Sequence, residues 1–189
     1  LRITGDSHHR CMVAEVMGRS VGWIALHSGM AAGAHVICLP EFPLTLDEIC
    51  TYVTSAFKRG RAPLVVVAEG FVPADAPEGF IDYELDEFGR PRFGGIAEVL
   101  APLIEQRLGI ESRATVLGHI QRGGEPTGYD RVLATRLGTA ALDLAHQGGF
   151  GRMVALRGTD IVDVPLTEAI DSVKRVPESR WREAEVLFG

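Results

Sequence analysis

A histidine and an arginine, three positions apart, follow a β-forming run and together could bind an anion. The run at 113–117 ends in a glycine, and His119 and Arg122 follow it with Gly123 and Gly124 behind them. Guanidinium, imidazole and the backbone amides that glycines leave accessible are groups that bind phosphate. Taken alone, the stretch is equally compatible with a surface turn in which the two side chains happen to lie close.

Two other apolar runs end in residues that could serve the same site: Glu69 follows one run, and Met17, Gly18 and Arg19 follow another. Ligands of a parallel sheet bind beyond the carboxyl ends of its strands, so these residues should converge there. A lone carboxylate accepts hydrogen bonds from sugar hydroxyls and does not bind phosphate. The whole set therefore fits a ligand with hydroxyls at one end and phosphate at the other. The alternative for Glu69 is a helix-capping or solvated carboxylate.

Two further arginines are candidate contacts that do not follow a predicted strand. Arg113 precedes its apolar run, so we expect it to point away from the site, into a neighbouring subunit. Arg10 is a further candidate phosphate contact. The adjacent His8 and His9 could suggest a metal, but neighbours in an extended chain point to opposite faces, and no further ligand completes a set.

Apolar periodicity and turn signals predict alternating strands and helices. We predict strands at 11–16, 35–39, 64–68, 114–117, 153–156 and 161–164. We predict helices at 22–32, 45–60, 96–109, 130–146, 167–174 and 179–187, with a loop at 70–93. Thr45 and Glu48 form a capping box at the start of the second helix. This order predicts an α/β fold with a mainly parallel sheet.

Composition narrows the class of protein. With 189 residues, 46% of them hydrophobic and 23% charged, the chain matches a soluble globular protein. A net charge of −6 argues against a nucleic-acid partner, and no apolar run is long enough to span a membrane. The three scattered cysteines suit buried, reduced thiols in the cytoplasm. Because Leu1 is not an initiator methionine, we expect a fragment of a longer protein.

Motifs for a phosphoryl donor are missing from the sequence. It has neither a Gly-x-x-x-x-Gly-Lys loop nor a Gly-x-Gly-x-x-Gly turn that opens a helix after a strand. No acidic pair suited to magnesium follows a strand. The chain therefore carries an acceptor site without a donor site.

The motifs found along the chain closely resemble the C-terminal half of 6-phosphofructokinases. They lie at 15–19 (EVMGR), 22–23 (GW), 40–41 (PE), 68–70 (AEG), 117–124 (LGHIQRGG) and 129–131 (YDR). The stretches 8–10 and 88–91 are most similar to actinobacterial members. The resemblance runs from about residue 5 to the C-terminus, in the family's order and spacing.

This resemblance implies a three-layer α/β sandwich with a mainly parallel sheet, the acceptor-binding half of the enzyme. Residues 5–150 would form the sugar-phosphate-binding domain, and 151–189 would pack on the missing N-terminal domain. The whole enzyme would transfer a phosphoryl group from ATP or pyrophosphate to the 1-hydroxyl of fructose 6-phosphate, giving fructose 1,6-bisphosphate in glycolysis. Magnesium would bind through the missing half, and this fragment alone would be inactive.

The resemblance also assigns roles at the sugar. Met17, Gly18 and Arg19 would contact the sugar and its reacting end, with Arg19 as the catalytic residue. Glu69 would hold sugar hydroxyls.

At the other end of the ligand, His119 and Arg122 would grip the 6-phosphate. Arg10 and Arg113 would reach the same phosphate from a neighbouring subunit, which implies an oligomer, usually a homotetramer.

Regulation and alternative functions stay open. The surroundings of Glu41 and the basic run at 58–61 resemble the part of the family that binds allosteric effectors, although a solvated helix end is the favoured interpretation of the run. A non-catalytic sugar-phosphate-binding or regulatory subunit is the alternative function. A kinase for another sugar phosphate is a third, which Glu69 with His119 and Arg122 disfavours.

Overall fold

Contacts within the chain divide it into two units, in a computed structural model that describes residues 1–81, 87 and 94–189. The first unit comprises residues 1–122 and 175–189, and the second comprises residues 123–174. The boundary expected from the sequence, at residue 150, thus differs from this division. Part of the predicted loop at 70–93 lies outside the described residues, as does the stretch 88–91.

A four-stranded parallel sheet forms the centre of the first unit. Its strands are β1 (Cys11–Val16), β2 (Val36–Cys38), β3 (Leu64–Ala68) and β4 (Ser112–Val116), and they lie side by side in the order β2-β3-β1-β4. Every residue of β1, β2 and β3 is buried, as a sheet covered on both faces requires. The prediction of an α/β fold with a parallel sheet is confirmed.

Four helices connect or precede these strands: α1 (Arg2–His8), α2 (Trp23–Ala32), α3 (Leu46–Lys58) and α4 (Ile96–Leu108). Helix α2 packs on β2 and β3, while α4 packs on β1, β4 and α3. The capping box of α3 is confirmed: Glu48 N donates to Thr45 Oγ1 over 3.2 Å, and Thr45 N donates to Glu48 Oε2 over 2.8 Å.

Helix α1 corrects the expectation of an extended chain around His8 and His9. His8 is the last residue of the helix, and His9 ends it in the left-handed conformation with φ of 52°. The backbone N–H at this C-cap donates to the carbonyl of Gly5, which satisfies one of the unpaired carbonyls of the last turn.

The second unit consists of α5 (Gly128–His146), an antiparallel hairpin of β5 (Arg152–Arg157) and β6 (Asp160–Pro165), and α6 (Leu166–Asp171). None of the residues from 123 to 174, all of which are described, is buried. Large apolar side chains lie exposed on it, among them Tyr129, Phe150 and Ile170 at 67%, 82% and 75%. This unit does not bury a core of its own.

The C-terminal residues return to the first unit through α7 (Glu178–Glu185). Trp181 is 6% exposed, stacks on Phe42 at a centroid distance of 5.7 Å and meets Phe188 edge-on at 5.1 Å. The backbone N–H of Gly189 donates to the carbonyl of His35, next to β2. This aromatic burial explains why the division between units falls at residue 174.

No described helix has both the length and the apolar composition needed to cross a bilayer.

We predict that Trp181→Ala lowers the free energy of unfolding by about 3–5 kcal/mol, because it leaves a cavity between Phe42 and Phe188. Circular dichroism during urea denaturation measures the change. Arg180→Ala is the control on the same helix: its exposed pair with Glu183 contributes at most about 1 kcal/mol. Equal losses from the two substitutions would contradict the aromatic anchor.

Candidate active site

Three strand ends bring the predicted site residues to one edge of the sheet. In the parallel register Val16 lies beside Ala68, and Glu15 lies beside Val116. The residues that follow β1, β3 and β4 therefore emerge together at the carboxyl edge. Because β1 lies between the other two strands, the ends of β3 and β4 are about 10 Å apart, two strand spacings. This distance is on the scale of a hexose phosphate.

Glu69 faces the loop that follows β1. Its Oε1 accepts a hydrogen bond from Gly18 N over 3.3 Å, and its own N–H donates to the carbonyl of Val16 over 2.9 Å. The other carboxylate oxygen accepts no hydrogen bond from the described residues, and the side chain is only half-buried. One oxygen thus holds the loop, and the second is available to a ligand hydroxyl.

Close backbone packing fixes the position of this loop. Gly70 N donates to the carbonyl of Gly18 over 3.0 Å. A Cβ at Gly70 would lie 1.6 Å from the carbonyl oxygen of Arg19, so no other residue fits there without moving the loop. Gly18 has φ of +142°, which glycine adopts at little cost.

His119 and Arg122 lie on a short 3-10 helix, Gly118–Arg122, directly after β4. In a 3-10 helix positions i and i+3 lie one above the other, so these two side chains share a face. Both are exposed, and neither makes a hydrogen bond or ion pair with the described residues. A guanidinium and an imidazole on one accessible face suit an anionic ligand.

Gln121 connects this 3-10 helix to the end of β1, a role that the sequence analysis missed. Its side-chain oxygen accepts a hydrogen bond from Met17 N over 3.3 Å, and its Nε2 donates to the carbonyl of Gly118 over 3.2 Å. The position of Gln121 in the sequence could have indicated this role, because in a 3-10 helix residue 121 lies on a different face from residues 119 and 122.

Glu15 is a second residue without a role in the sequence analysis. It is 2% exposed within the apolar strand β1, and its carboxylate accepts hydrogen bonds from Gly95 N over 3.0 Å and Ala97 N over 2.9 Å. Burial is the largest cause that raises the pKa of Glu15, and the two backbone hydrogen bonds oppose it. A charged residue inside an otherwise apolar strand was the available signal.

Arg10 and Arg113 lie at the opposite, amino edge of the sheet. Each forms an ion pair with Glu111, and Arg10 Nε lies 2.7 Å from Glu111 Oε2. The contact with Arg10 is the first cause that lowers the pKa of Glu111. Because β1 is six residues long, about 20 Å separate the two edges. The structure thus groups these arginines with each other, apart from His119 and Arg122.

Glu41 has a structural function in this fold. Its carboxylate accepts hydrogen bonds from Gly22 N over 2.9 and 3.1 Å, and from Val176 N over 3.0 Å. Gly22 is the N-cap of α2. Glu41 therefore fixes the start of α2 and the returning C-terminal segment.

The basic run at 58–61 contributes to a cleft of about 600 Å³. Arg59 and Arg61 line it together with Arg2 and His35. Burial, followed by the positive charge of Arg2, lowers the pKa of His35, whose Nδ1 accepts a hydrogen bond from Leu64 N over 3.1 Å. Within the described part of the chain, no three His, Cys, Asp or Glu side chains form a group able to hold a metal ion.

Comparison with known proteins assigns the chain to a family. Residues 1–145 match the family described as phosphofructokinase. A pyrophosphate–fructose 6-phosphate 1-phosphotransferase from Amycolatopsis methanolica is 54% identical over 189 residues. An ATP-dependent 6-phosphofructokinase 2 from Streptomyces coelicolor is 56% identical over 192 residues. The chain belongs to the phosphofructokinase family.

The chain spans about half the length of these relatives: all of it aligns, with 55% of each relative. The fold agrees with solved structures. A pyrophosphate-dependent phosphofructokinase from Marinobacter aquaeolei superposes with a TM-score of 0.77 at 23% identity, covering 100% of this chain and 51% of that one. Phosphofructokinase from Saccharomyces cerevisiae gives 0.72 at 30% identity, covering 89% and 21%.

We predict that Gly70→Ala lowers the free energy of unfolding by about 1–3 kcal/mol or more, since its methyl group would overlap the backbone of Arg19. Denaturant unfolding measures this loss. Gly138→Ala makes the same chemical change inside helix α5, with no atom within 4 Å of the added carbon, and should cause no loss. If Gly70→Ala were as harmless as the control, the close packing of the loop would be refuted.

A second prediction concerns Glu15 and pH. Because its pKa is raised in the folded chain, the stability it contributes is full below the ordinary value of 4.5 and is lost as pH rises through the raised pKa. Glu15→Gln does not titrate. The unfolding free energy of the wild type minus that of the variant should therefore fall over this range and then level off. A difference that rises with pH would contradict the assigned direction.

Proposed function

We propose that these 189 residues form the acceptor-binding half of a 6-phosphofructokinase. The whole enzyme transfers a phosphoryl group from ATP or pyrophosphate to the 1-hydroxyl of fructose 6-phosphate, giving fructose 1,6-bisphosphate. The observation that carries the proposal is the convergence of Glu69, the loop at 17–19 and the 3-10 helix at one sheet edge. Relatives of both donor types support this reaction.

The groups on the two sides of β1 differ in charge and would bind different parts of the ligand. On the β3 side, Glu69 offers a carboxylate oxygen to sugar hydroxyls. On the β4 side, the exposed His119 and Arg122 offer donors to the 6-phosphate. Hydrogen bonds from a guanidinium to phosphate are charge-assisted and about twice as strong as neutral ones. This polarity orients the sugar phosphate along the edge.

Arg19 lies on the central loop, between the two ends of the bound sugar. Phosphoryl transfer depends mostly on positioning and on neutralising charge in the transition state. We assign Arg19 to the reacting end, where its guanidinium would stabilise charge on the transferring group. Magnesium, when bound, supplies further neutralisation. Its ligands, the donor site and the base that accepts the hydroxyl proton are assigned to the remainder of the protein.

Two partners follow from this proposal. The pairing of Arg10 and Arg113 through Glu111, at the edge opposite the site, supports their donation to the phosphate of a neighbouring subunit in a homotetramer. The second unit, which buries no residue of its own, would pack on the additional chain that the longer relatives possess.

Three free, buried cysteines support a cytoplasmic location, since a reducing compartment preserves thiols.

Arg122→Ala tests the assignment of the phosphate end. It should weaken fructose 6-phosphate binding to the chain by about 1.5–3 kcal/mol, roughly 10- to 150-fold, through loss of a charge-assisted contact. Isothermal titration calorimetry measures the affinity. Fructose should bind equally weakly to both proteins, and Arg182→Ala, an exposed arginine paired with Glu178, is the matched control. Unchanged affinity in Arg122→Ala would overturn the phosphate assignment.

Turnover separates the acceptor half from a complete enzyme. The purified chain with fructose 6-phosphate, magnesium and either ATP or pyrophosphate should form no fructose 1,6-bisphosphate. In the complete enzyme, substitution of Arg19 should mainly lower kcat, whereas substitution of Arg122 should mainly raise KM. Product formation by the 189-residue chain would show that it contains a donor site.

A further inference from the structure

A buried carboxylate links the end of β1 to the first turn of α4, just behind the candidate site. We propose that Glu15 is a positioning residue: it holds the start of α4 against the carboxyl edge of the sheet and thereby fixes the backbone that presents the sugar-phosphate ligands. The inference rests on the proposed function for its ligand. Glu15 itself would contact no substrate and would act through its hydrogen bonds to the main chain.

The side chain of Glu15 replaces a missing helix cap. Helix α4 begins after Gly95, which has no side chain to cap it. The carboxylate of Glu15, eighty residues earlier in the chain, takes that place with one hydrogen bond to each oxygen: Gly95 N at 3.0 Å and Ala97 N at 2.9 Å. A carboxylate at a helix N-terminus is also stabilised by the helix dipole. Glutamine offers only one acceptor oxygen and would turn its amide donors toward one of the two N–H groups.

The main chain of Glu15 connects the same point to the phosphate side. Its carbonyl accepts a hydrogen bond from Leu117 N over 3.1 Å, the residue just before the 3-10 helix that carries His119 and Arg122. The N–H of Met17, two residues after Glu15, donates a hydrogen bond to the side-chain oxygen of Gln121. Glu15 thus joins α4 by its side chain and the 3-10 helix by its backbone.

Both ends of the connection from β3 to α4 are therefore held by carboxylates at this edge. Glu69 holds the first end to Gly18, and Glu15 holds the second end at Gly95. If the second end were released, α4 and the sheet edge on which it packs could shift together, since α4 packs directly on β1 and β4. A small displacement of ligand-positioning backbone weakens binding strongly.

The charged groups that face Glu15 are Glu69, after β3, and Glu98, on α4, and both favour its neutral form. Glutamine in place of Glu15 removes both the charge and one of the two acceptor oxygens, so a control variant must separate the two changes.

The experiment compares the wild type, Glu15→Gln and Glu98→Gln by two readouts. The side chain of Glu98 is exposed, and the N–H groups of Gly95 and Ala97 donate to Glu15 instead, so Glu98→Gln removes the same charge nearby without removing an acceptor from them. Amide hydrogen exchange reports on Gly95 and Ala97, and calorimetric titration with fructose 6-phosphate gives the affinity near neutral pH.

We expect Glu15→Gln to speed exchange of these two amides and to weaken fructose 6-phosphate binding roughly tenfold near neutral pH. Glu98→Gln should match the wild type in both readouts. If Glu15→Gln does not fold, the wild type alone serves: saturating fructose 6-phosphate should slow the exchange of Gly95 and Ala97, because coupling between two sites is reciprocal.

Three results would overturn the inference. Faster exchange with unchanged affinity would make Glu15 a helix cap only, and so would wild-type exchange at Gly95 and Ala97 that saturating fructose 6-phosphate does not slow. Equal effects of Glu98→Gln would assign the change to charge rather than to the hydrogen bonds. Absence of fructose 6-phosphate binding in the wild type would instead refute the proposed function, and the exchange readout would still distinguish that case.

Discussion

The parallel register of β3, β1 and β4 is the constraint on which the rest of this structure depends. With Val16 beside Ala68 and Glu15 beside Val116, the three strands end at one level. Everything that follows them must share the same edge, so residues more than a hundred positions apart meet without any further device. A shift of register by one residue would turn each side chain of β1 to the opposite face of the sheet and separate the ligand groups.

Backbone contacts then refine what the register provides. The loop after β1 is held by the carboxylate of Glu69, by the backbone of Gly70 and by the side chain of Gln121. These contacts come from the ends of both neighbouring strands, β3 and β4, while His119 and Arg122 stay exposed. Under the proposed function, such a site is pre-organised where it orients the sugar and open where it admits the phosphate.

Local patterns were sufficient for most of the fold. The continuous apolar run of β3 and the capping box of α3 each determine their element within a few residues, so the sequence predicted both correctly. Helix α1 was missed because its seven residues carry little helical propensity and include Gly5. The hydrogen bond from Val176 to Glu41 spans 135 positions, and no local pattern could reveal it. The same holds for the brace from Glu15 to α4, whereas Gln121 was within reach of a 3-10 periodicity.

The proposed site is tested most directly by mapping fructose 6-phosphate onto the chain through backbone amide chemical shifts. We expect titration to shift the amides of Met17, Gly18 and Glu69 together with those of His119 and Arg122. Fructose, which lacks the phosphate, should shift only the first three. Amides at the amino edge, around Glu111, should stay unchanged within a single chain. Shifts confined to the basic cleft around Arg59 and Arg61, with none at the carboxyl edge, would contradict the proposed site.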